Sequence, residues 1–438
     1  MINDTQSRRE FVGSVARTGL AAGVAGLSPR SGFAADATAS NKLRGKADSC
    51  IFIWLGGGAC QIDTWDPKRK GDAKSKKPGS YYDPIPTAIE GVQVCEHLSR
   101  MAKLLDRCAL VRTVHHDVID EHAAAVYRLH TGRPTSGTVV YPSIGSVAAH
   151  QLAARGESVP AYVIMGYPNL TRGPGFLGSK YGYLYLTNTS AGPTGLRRPP
   201  EVAPNRQARR EQLLARLRKS YVGRTPGDRK IANYAAASAE SLKLAGPEFM
   251  SVFDLKSESD TLRNSYGEEF GQRCLLARRL VESGVTFVEV AFNLNFINGT
   301  GWDTHNQGQL NQHILIDQLD QAMSALIADL EKRNRLDRTL IVVATEFGRP
   351  PEFDGGGGRG HHSKSFSIAL AGGGLQTGQV IGATDDLGKS VVQRPVSVPA
   401  LHATIYATLG IDPHKELFDG DRPVPITDGG KVIAELFS

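Results

Sequence analysis

The sequence predicts an α/β fold with a mostly parallel central sheet and helices on both of its faces. Three observations carry that reading. Short β-rich runs alternate with helical patterns, several of the runs are apolar almost without interruption, and the stretches between them carry one apolar face at helical spacing.

In chain order the runs are Cys50 to Leu55, Ala109 to Val114, Ala161 to Met165, Val285 to Ala291, Thr339 to Thr345 and Ser365 to Leu370. Leu340-Ile341-Val342-Val343-Ala344 is the clearest case, because a strand covered on both faces has no solvated side and so no polar alternation. Glu121 to Leu129 reads as a helix with His122 near its N-terminus, where the dipole attracts anions and disfavours imidazolium. From Tyr167 to Pro204 the chain is rich in Gly, Pro, Tyr and Asn, with turn signals at Gly173-Pro174-Gly175 and Gly192-Pro193. Arg206 to Gly246 follows as two polar helices, so residues 167–246 together form a long insertion, irregular first and then helical. Tyr266 to Ser283 is a further helix leading into the Val285 run. Leu310, Ile314, Leu319, Met323, Leu326, Ile327 and Leu330 recur at helical spacing, and Lys332, Arg333 and Arg335 then suit a helix C-terminus.

The 438 residues, 40% apolar and 22% charged, have the balance of a globular protein with room for a sizeable core. One large domain is expected over residues 38–438, preceded by a signal peptide over residues 1–37. Ser7-Arg8-Arg9-Glu10-Phe11 has the twin-arginine form, a mildly apolar run spans Gly19 to Leu27, and Ala35-Asp36-Ala37 offers a cleavage site. The expected location is therefore the periplasm or the extracellular space. No run of about 20 apolar residues exists elsewhere, so no membrane span is expected. The net charge of +7 is scattered, with clusters only in Lys68 to Lys77 and Arg206 to Lys219. Both read as solvated surfaces, and without interleaved stacking aromatics they predict no nucleic-acid partner. Five cysteines with no CxxC pair argue against a thiolate zinc site and a disulfide framework, leaving one disulfide open.

Acids and imidazoles gather where strands end, in Trp302-Asp303-Thr304-His305, Glu346-Phe347-Gly348-Arg349 and Gly360-His361-His362. That is a metal-ligand pattern, and one or two divalent ions are expected, with zinc, manganese, calcium or iron as candidates. Asp303 and His305, two residues apart, put their side chains on one side of an extended segment. Glu346 directly follows an apolar strand, the place where open parallel sheets bind ligands. His361 and His362 are adjacent and face opposite ways, so only one ligates. Arg349 either pairs with a buried acid or clamps an anionic substrate by its bidentate fork. Asp63 is either a ligand or an Asx-type turn in its Gly-rich loop. His313 is a lesser ligand candidate, and His130 reads as structural.

Four motifs then carry a resemblance: the stretch Gly57-Gly58-Ala59-Cys60-Gln61-Ile62-Asp63-Thr64-Trp65-Asp66-Pro67-Lys68, Gly301 to His305, Glu346 to Arg349, and Gly358-Arg359-Gly360-His361. With them the chain resembles domain-of-unknown-function family 1501, a secreted branch similar to the alkaline phosphatase and sulfatase superfamily. The resemblance implies an alkaline-phosphatase-like fold and metal ions beside a Ser, Thr or modified Cys nucleophile at a helix N-terminus. Thr131-Gly132-Arg133-Pro134 looks like the tail that follows the sulfatase nucleophile by nine residues, and counting back places His122 at that position. Histidine cannot supply the alkoxide or formylglycine hydrate of those enzymes. Glu346-Phe347-Gly348 stands where the superfamily shows Asp-His-Gly, and Gly56-Gly57-Gly58 where it places an Asp that Asp63 could replace. His361 occupies the branch's histidine position.

The function expected from this is an exported metal-dependent hydrolase of an anionic ester, sulfate or phosphate, on a small molecule or a polysaccharide. Asp63, Asp303, His305, Glu346 and His361 would hold the metal, Arg349 would contact substrate, and His122 or a metal hydroxide would attack. The alternative is a catalytically degenerate relative that binds a polysaccharide or a protein. Gly56 to Gly58 does not match G-x-G-x-x-G and no G-x-S-x-G elbow occurs, so dinucleotide binding and serine hydrolysis are not supported.

Overall fold

The apolar runs become strands whose side chains alternate between two separate cores. A computed structural model of the chain describes residues 45–437, apart from 157–158, 167–171, 188, 190–191, 194–200, 245–246, 293–300 and 306–307. The central sheet is built from β1 (Ser49–Trp54), β2 (Cys108–His115), β3 (Tyr162–Met165), β4 (Leu184–Leu186), β5 (Phe287–Ala291), β6 (Thr339–Ala344), β7 (Phe366–Gly372), β8 (Gln379–Ile381) and β9 (Val396–Ser397). The strand order is β8-β2-β7-β6-β1-β5-β3-β4, with β9 also paired to β2. β7 runs antiparallel to β2 and β6, and the other pairings among these strands are parallel.

The longer helices are α1 (His122–Thr131), α2 (Ile144–Leu152), α3 (Pro204–Arg224), α4 (Arg229–Lys243), α5 (Glu269–Glu282), α6 (Gly308–Lys332) and α7 (Val398–Thr408). Strand β1 shows how they share the sheet. Ile51, Ile53 and Leu55 point into one core with Leu275 and Leu276 of α5 and Leu319 and Met323 of α6. Cys50, Phe52 and Trp54 point into the other with Val126 and Leu129 of α1, Ile144 of α2 and Leu401 of α7. Burying one large aliphatic side chain contributes roughly 1.5–3 kcal/mol, so a strand buried on both faces is fixed by packing on each.

All six predicted strands form. The ones the sequence did not signal, β4, β8 and β9, have two or three residues each and sit toward the edges of the sheet, too short for any period to register. β4 also interrupts the stretch predicted to be irregular, and α3 and α4 are the two polar helices expected to close the insertion. The predicted signal peptide lies outside the described residues. All five cysteines are buried and free, so the disulfide left open by the sequence does not form.

This topology sets the glycine turn after β1, the segment after β6 and the start of α1 together at the carboxyl edge of the sheet. Thr345 fastens two of them: its hydroxyl donates to Leu55 O at 3.0 Å and accepts from Ala59 N–H at 2.9 Å.

Candidate metal centre

Glu346 lies just beyond β6 and is buried, with its Oε1 accepting a hydrogen bond from Gly57 N–H at 2.8 Å. Gly57 itself has φ +117, and a Cβ there would collide with the backbone nitrogen of Asp303. Close approach of the two loops therefore requires glycine. Helix α1 begins at His122 because Glu121 caps it, accepting from Ala123 N–H at 2.9 Å and Ala124 N–H at 2.6 Å. The cap holds His122 over the same edge, 2.9 Å from Glu346 through Nδ1.

Three imidazoles converge on Asp303 through their Nε2 atoms. His122 Nε2 is 3.3 Å from Oδ2, His305 Nε2 is 3.0 Å from Oδ1, and His361 Nε2 is 3.3 Å from Oδ1. Each imidazole has a second carboxylate at its other nitrogen: Glu346 at 2.9 Å for His122, Asp354 at 3.3 Å for His305 and Asp120 at 2.6 Å for His361. His122, Asp303 and His361 each offer one ligand atom, and these lie within 4.8 Å of one another. His122 Nε2 is buried and makes no aligned hydrogen bond to any described residue. The Phe347 ring sits beneath, 4.8 Å from the His122 ring and 4.6 Å from that of His361.

The charges reinforce one another. Burial pushes Asp303 upward, but contacts from His122 and His361 and the Arg349 guanidinium hold it well below the usual carboxylate range. Burial pulls His122 down, yet the Asp303 and Glu346 carboxylates lift it to about 9, against the helix-terminus effect expected from its position. Left to itself the cluster places an imidazolium between two carboxylates. His122, Asp303 and His361 are of a kind that could hold a metal ion in its place.

Several expected roles are corrected by this geometry. Asp63 is not brought to the cluster. It is fully buried against Arg359, with Nε at 3.0 Å and Nη2 at 3.2 Å, and it also accepts from Tyr81 N–H at 2.7 Å and from the Gln309 amide. Its lone pairs are spent on holding the Gly-rich loop. Arg349 cannot clamp a substrate, because its donors are engaged: Nε on Gly58 O at 2.8 Å, Nη1 on Arg359 O at 3.0 Å and Gly360 O at 3.2 Å, and Nη2 on Gly57 O and Asp303. It is the structural ion pair, and it orients Asp303. Glu346 stands behind His122 rather than at the point of convergence.

The remaining histidines are placed elsewhere. His362 turns away to Lys389 O at 2.8 Å, opposite to His361 as adjacent extended residues should be. His313 Nδ1 is 3.0 Å from Leu310 O, and His130 is enclosed beside Phe52 and Trp54. Thr131-Gly132-Arg133 serves as a helix end: Gly132 is the left-handed cap of α1, and Arg133 ties it to Thr427 O at 3.1 Å and Asp428 at 3.1 Å. Sequence reasoning missed Asp120 and Asp354. Asp120 has a positive φ of 57, rare outside glycine, two residues before His122, and Asp354 opens the Gly355 to Gly358 loop. No periodicity marks either one.

The family model described as "Protein of unknown function (DUF1501)" matches residues 47–437. No curated protein matches the sequence. Among solved structures, the chain is similar to the PsFucS1 sulfatase from Pseudoalteromonas sp., at 11% identity over 85% of this chain and 69% of that one, with a TM-score of 0.40. It is similar also to the lipoteichoic acid synthase LtaP from Listeria monocytogenes, at 8% identity over 90% and 78% of the two chains, with a TM-score of 0.40. For the alkaline phosphatase from the Antarctic bacterium TAB5 the identity is 10%, the coverage 83% and 99%, and the TM-score 0.36.

Proposed function

The chain belongs to the DUF1501 family of proteins of unknown function, and from that premise we propose that it is a metal-dependent hydrolase of an anionic ester, a sulfate or a phosphate. One observation carries the reading: three imidazole Nε2 atoms converge on one carboxylate, and each imidazole has a further carboxylate at its Nδ1. Metal-binding histidines are commonly oriented in this way, because an acceptor at the far nitrogen fixes the tautomer and raises ligand basicity. The buried His122 Nε2, 3.3 Å from Asp303 but without an aligned hydrogen bond among the described residues, fits the same group.

Asp303 and the Nε2 atoms of His122 and His361 would hold the ion, with His305 Nε2, 3.0 Å from Asp303, as a further donor beside them. Three imidazoles with one carboxylate suit zinc, manganese or iron, and they do not offer the all-oxygen shell that calcium takes. When bound, such an ion supplies Lewis acidity toward an ester oxygen and acidifies water. The chain's own residues set the conditions. With an ion bound, His122 Nδ1–H would donate to Glu346, 2.9 Å away, and leave the Nε2 lone pair for the ion. Arg349 neutralises and aims Asp303 without reaching the open side. Because His122 is part of the converging set, we assign it to ligation and not to attack. The twin-arginine pattern of residues 1–37 makes export to the periplasm or beyond part of the same proposal.

A second reading has its own support: the position where the resemblance implies a nucleophile carries His122, which suits a catalytically degenerate relative that binds a polysaccharide or a protein. Metal analysis of the purified mature protein tests the first step. About one equivalent of a divalent ion is expected in the wild type, and near none in Asp303→Ala with an unchanged circular dichroism spectrum. Failure of the wild type to hold any ion after reconstitution would overturn the hydrolase and leave the binding protein. Turnover of aryl sulfate or aryl phosphate that stops with a chelator selects the hydrolase; stoichiometric metal without turnover selects the binding protein.

A further inference from the structure

Helix α3, part of which the sequence presents as a solvated basic surface, has no buried residue along its 21 positions. It carries seven Arg or Lys residues against the single acid Glu211. On that background lies an apolar stripe: Leu213, Leu217 and Tyr221 recur every fourth residue and are 58%, 58% and 54% exposed, with Leu214 beside them at 43%. At 100° per residue these four occupy an arc of about 100°. Arg209 and Arg216 border the stripe on one side, and Arg206, Arg210 and Arg224 extend its own face at either end. The inner side is spent on α4, against which α3 packs, with Gln207, Glu211, Arg218 and Val222 half-buried.

We propose that α3 is an interfacial helix that seats the protein on an anionic lipid surface, with the Leu213, Leu217 and Tyr221 stripe in the acyl boundary and the flanking arginines on headgroup phosphates. Charge complementarity selects this occupant. Two copies of the chain meeting through α3 would oppose two strongly basic helices at close range. A soluble polyanion would engage the arginines but leave the leucines and the tyrosine wet. A bilayer surface uses both features at once, since arginine buries its stem while its guanidinium stays with the headgroups and tyrosine favours the same depth. The helix lies on the surface and does not span it, because no helix among the described residues is long and apolar enough to cross a membrane.

The test is co-sedimentation of the full mature chain with vesicles of phosphatidylcholine alone or mixed with phosphatidylglycerol. Binding to the mixed vesicles only is expected, weakened by high salt. The double substitution Leu213→Glu with Leu217→Glu should reduce it by about tenfold or more, the loss of two apolar anchors and the addition of two repelled charges. Both sites are exposed, so the fold should persist; Arg209→Gln with Arg216→Gln provides an independent pair that should also weaken binding. Absence of binding to anionic vesicles, or binding untouched by both double substitutions, overturns the proposal. So does binding to dextran sulfate without binding to vesicles, or a solution dimer that the leucine substitutions dissociate. None of these measurements depends on the metal centre.

Discussion

Glu346 and Asp63 are both buried acids beside glycine turns, and only their partners tell them apart. Glu346 contacts His122, so Glu346→Gln should keep the fold but lower metal affinity by roughly 10- to 100-fold, read by competition with a chelator of known affinity. Asp63 contacts Arg359, and Asp63→Asn leaves that guanidinium buried without a countercharge. The expected cost is about 3–5 kcal/mol in denaturant unfolding, with metal content at saturation unchanged. A loss of metal without a loss of stability would return Asp63 to the ligands. The residue types at the cluster were legible in the sequence, since acids and imidazoles at strand ends point to a cation. Their division of labour was not. Asp63 meets Arg359 across 296 positions of chain and Arg349 meets Asp303 across 46, and no local pattern encodes such pairings.

At the scale of elements, the strands covered on both faces could be read directly, because continuous apolar runs have few other uses in a globular chain. The edge strands could not, since two or three residues carry no period. The turns between elements matter most for the site. Gly57 joins β1 to the loop bearing Asp63 and lies against the segment bearing Asp303, in a backbone conformation that side chains rarely adopt. Gly57→Ala should therefore displace Asp303 even though no ligand is changed: metal content should fall well below one equivalent, while far-ultraviolet circular dichroism stays that of the wild type. Full metal retention would show that the two loops are not held as closely as described. The cap on α1 is of the same kind. Glu121, identifiable only as an acid before a helical run, fixes where His122 begins the helix.

Across the whole molecule, two buried groups outside the metal centre add to the response to acid. Burial holds His402 down at about 4, with its Nε2–H donated to Leu129 O at 2.6 Å. An unfolded histidine takes up its proton near 6.5, so stability is lost as pH falls from there toward 4, on the order of 3 kcal/mol in all. Burial pushes Glu289 up, but Arg172 and His130 bring it down to about 2, so its contribution is present above the usual 4.5 and fades below it. The two effects have the same sign and follow in sequence. The thermal midpoint of the metal-free protein should fall steadily from pH 7 to pH 4 and continue falling beneath; a flat profile over the first interval would contradict the neutral, enclosed state of His402. The five thiols make a different kind of statement about the molecule. Burial keeps Cys60 and Cys274 protonated and well above the usual thiol range, and none of the five has a sulfur partner. No oxidant is needed to finish this architecture, which is held together without a single covalent cross-link between cysteines.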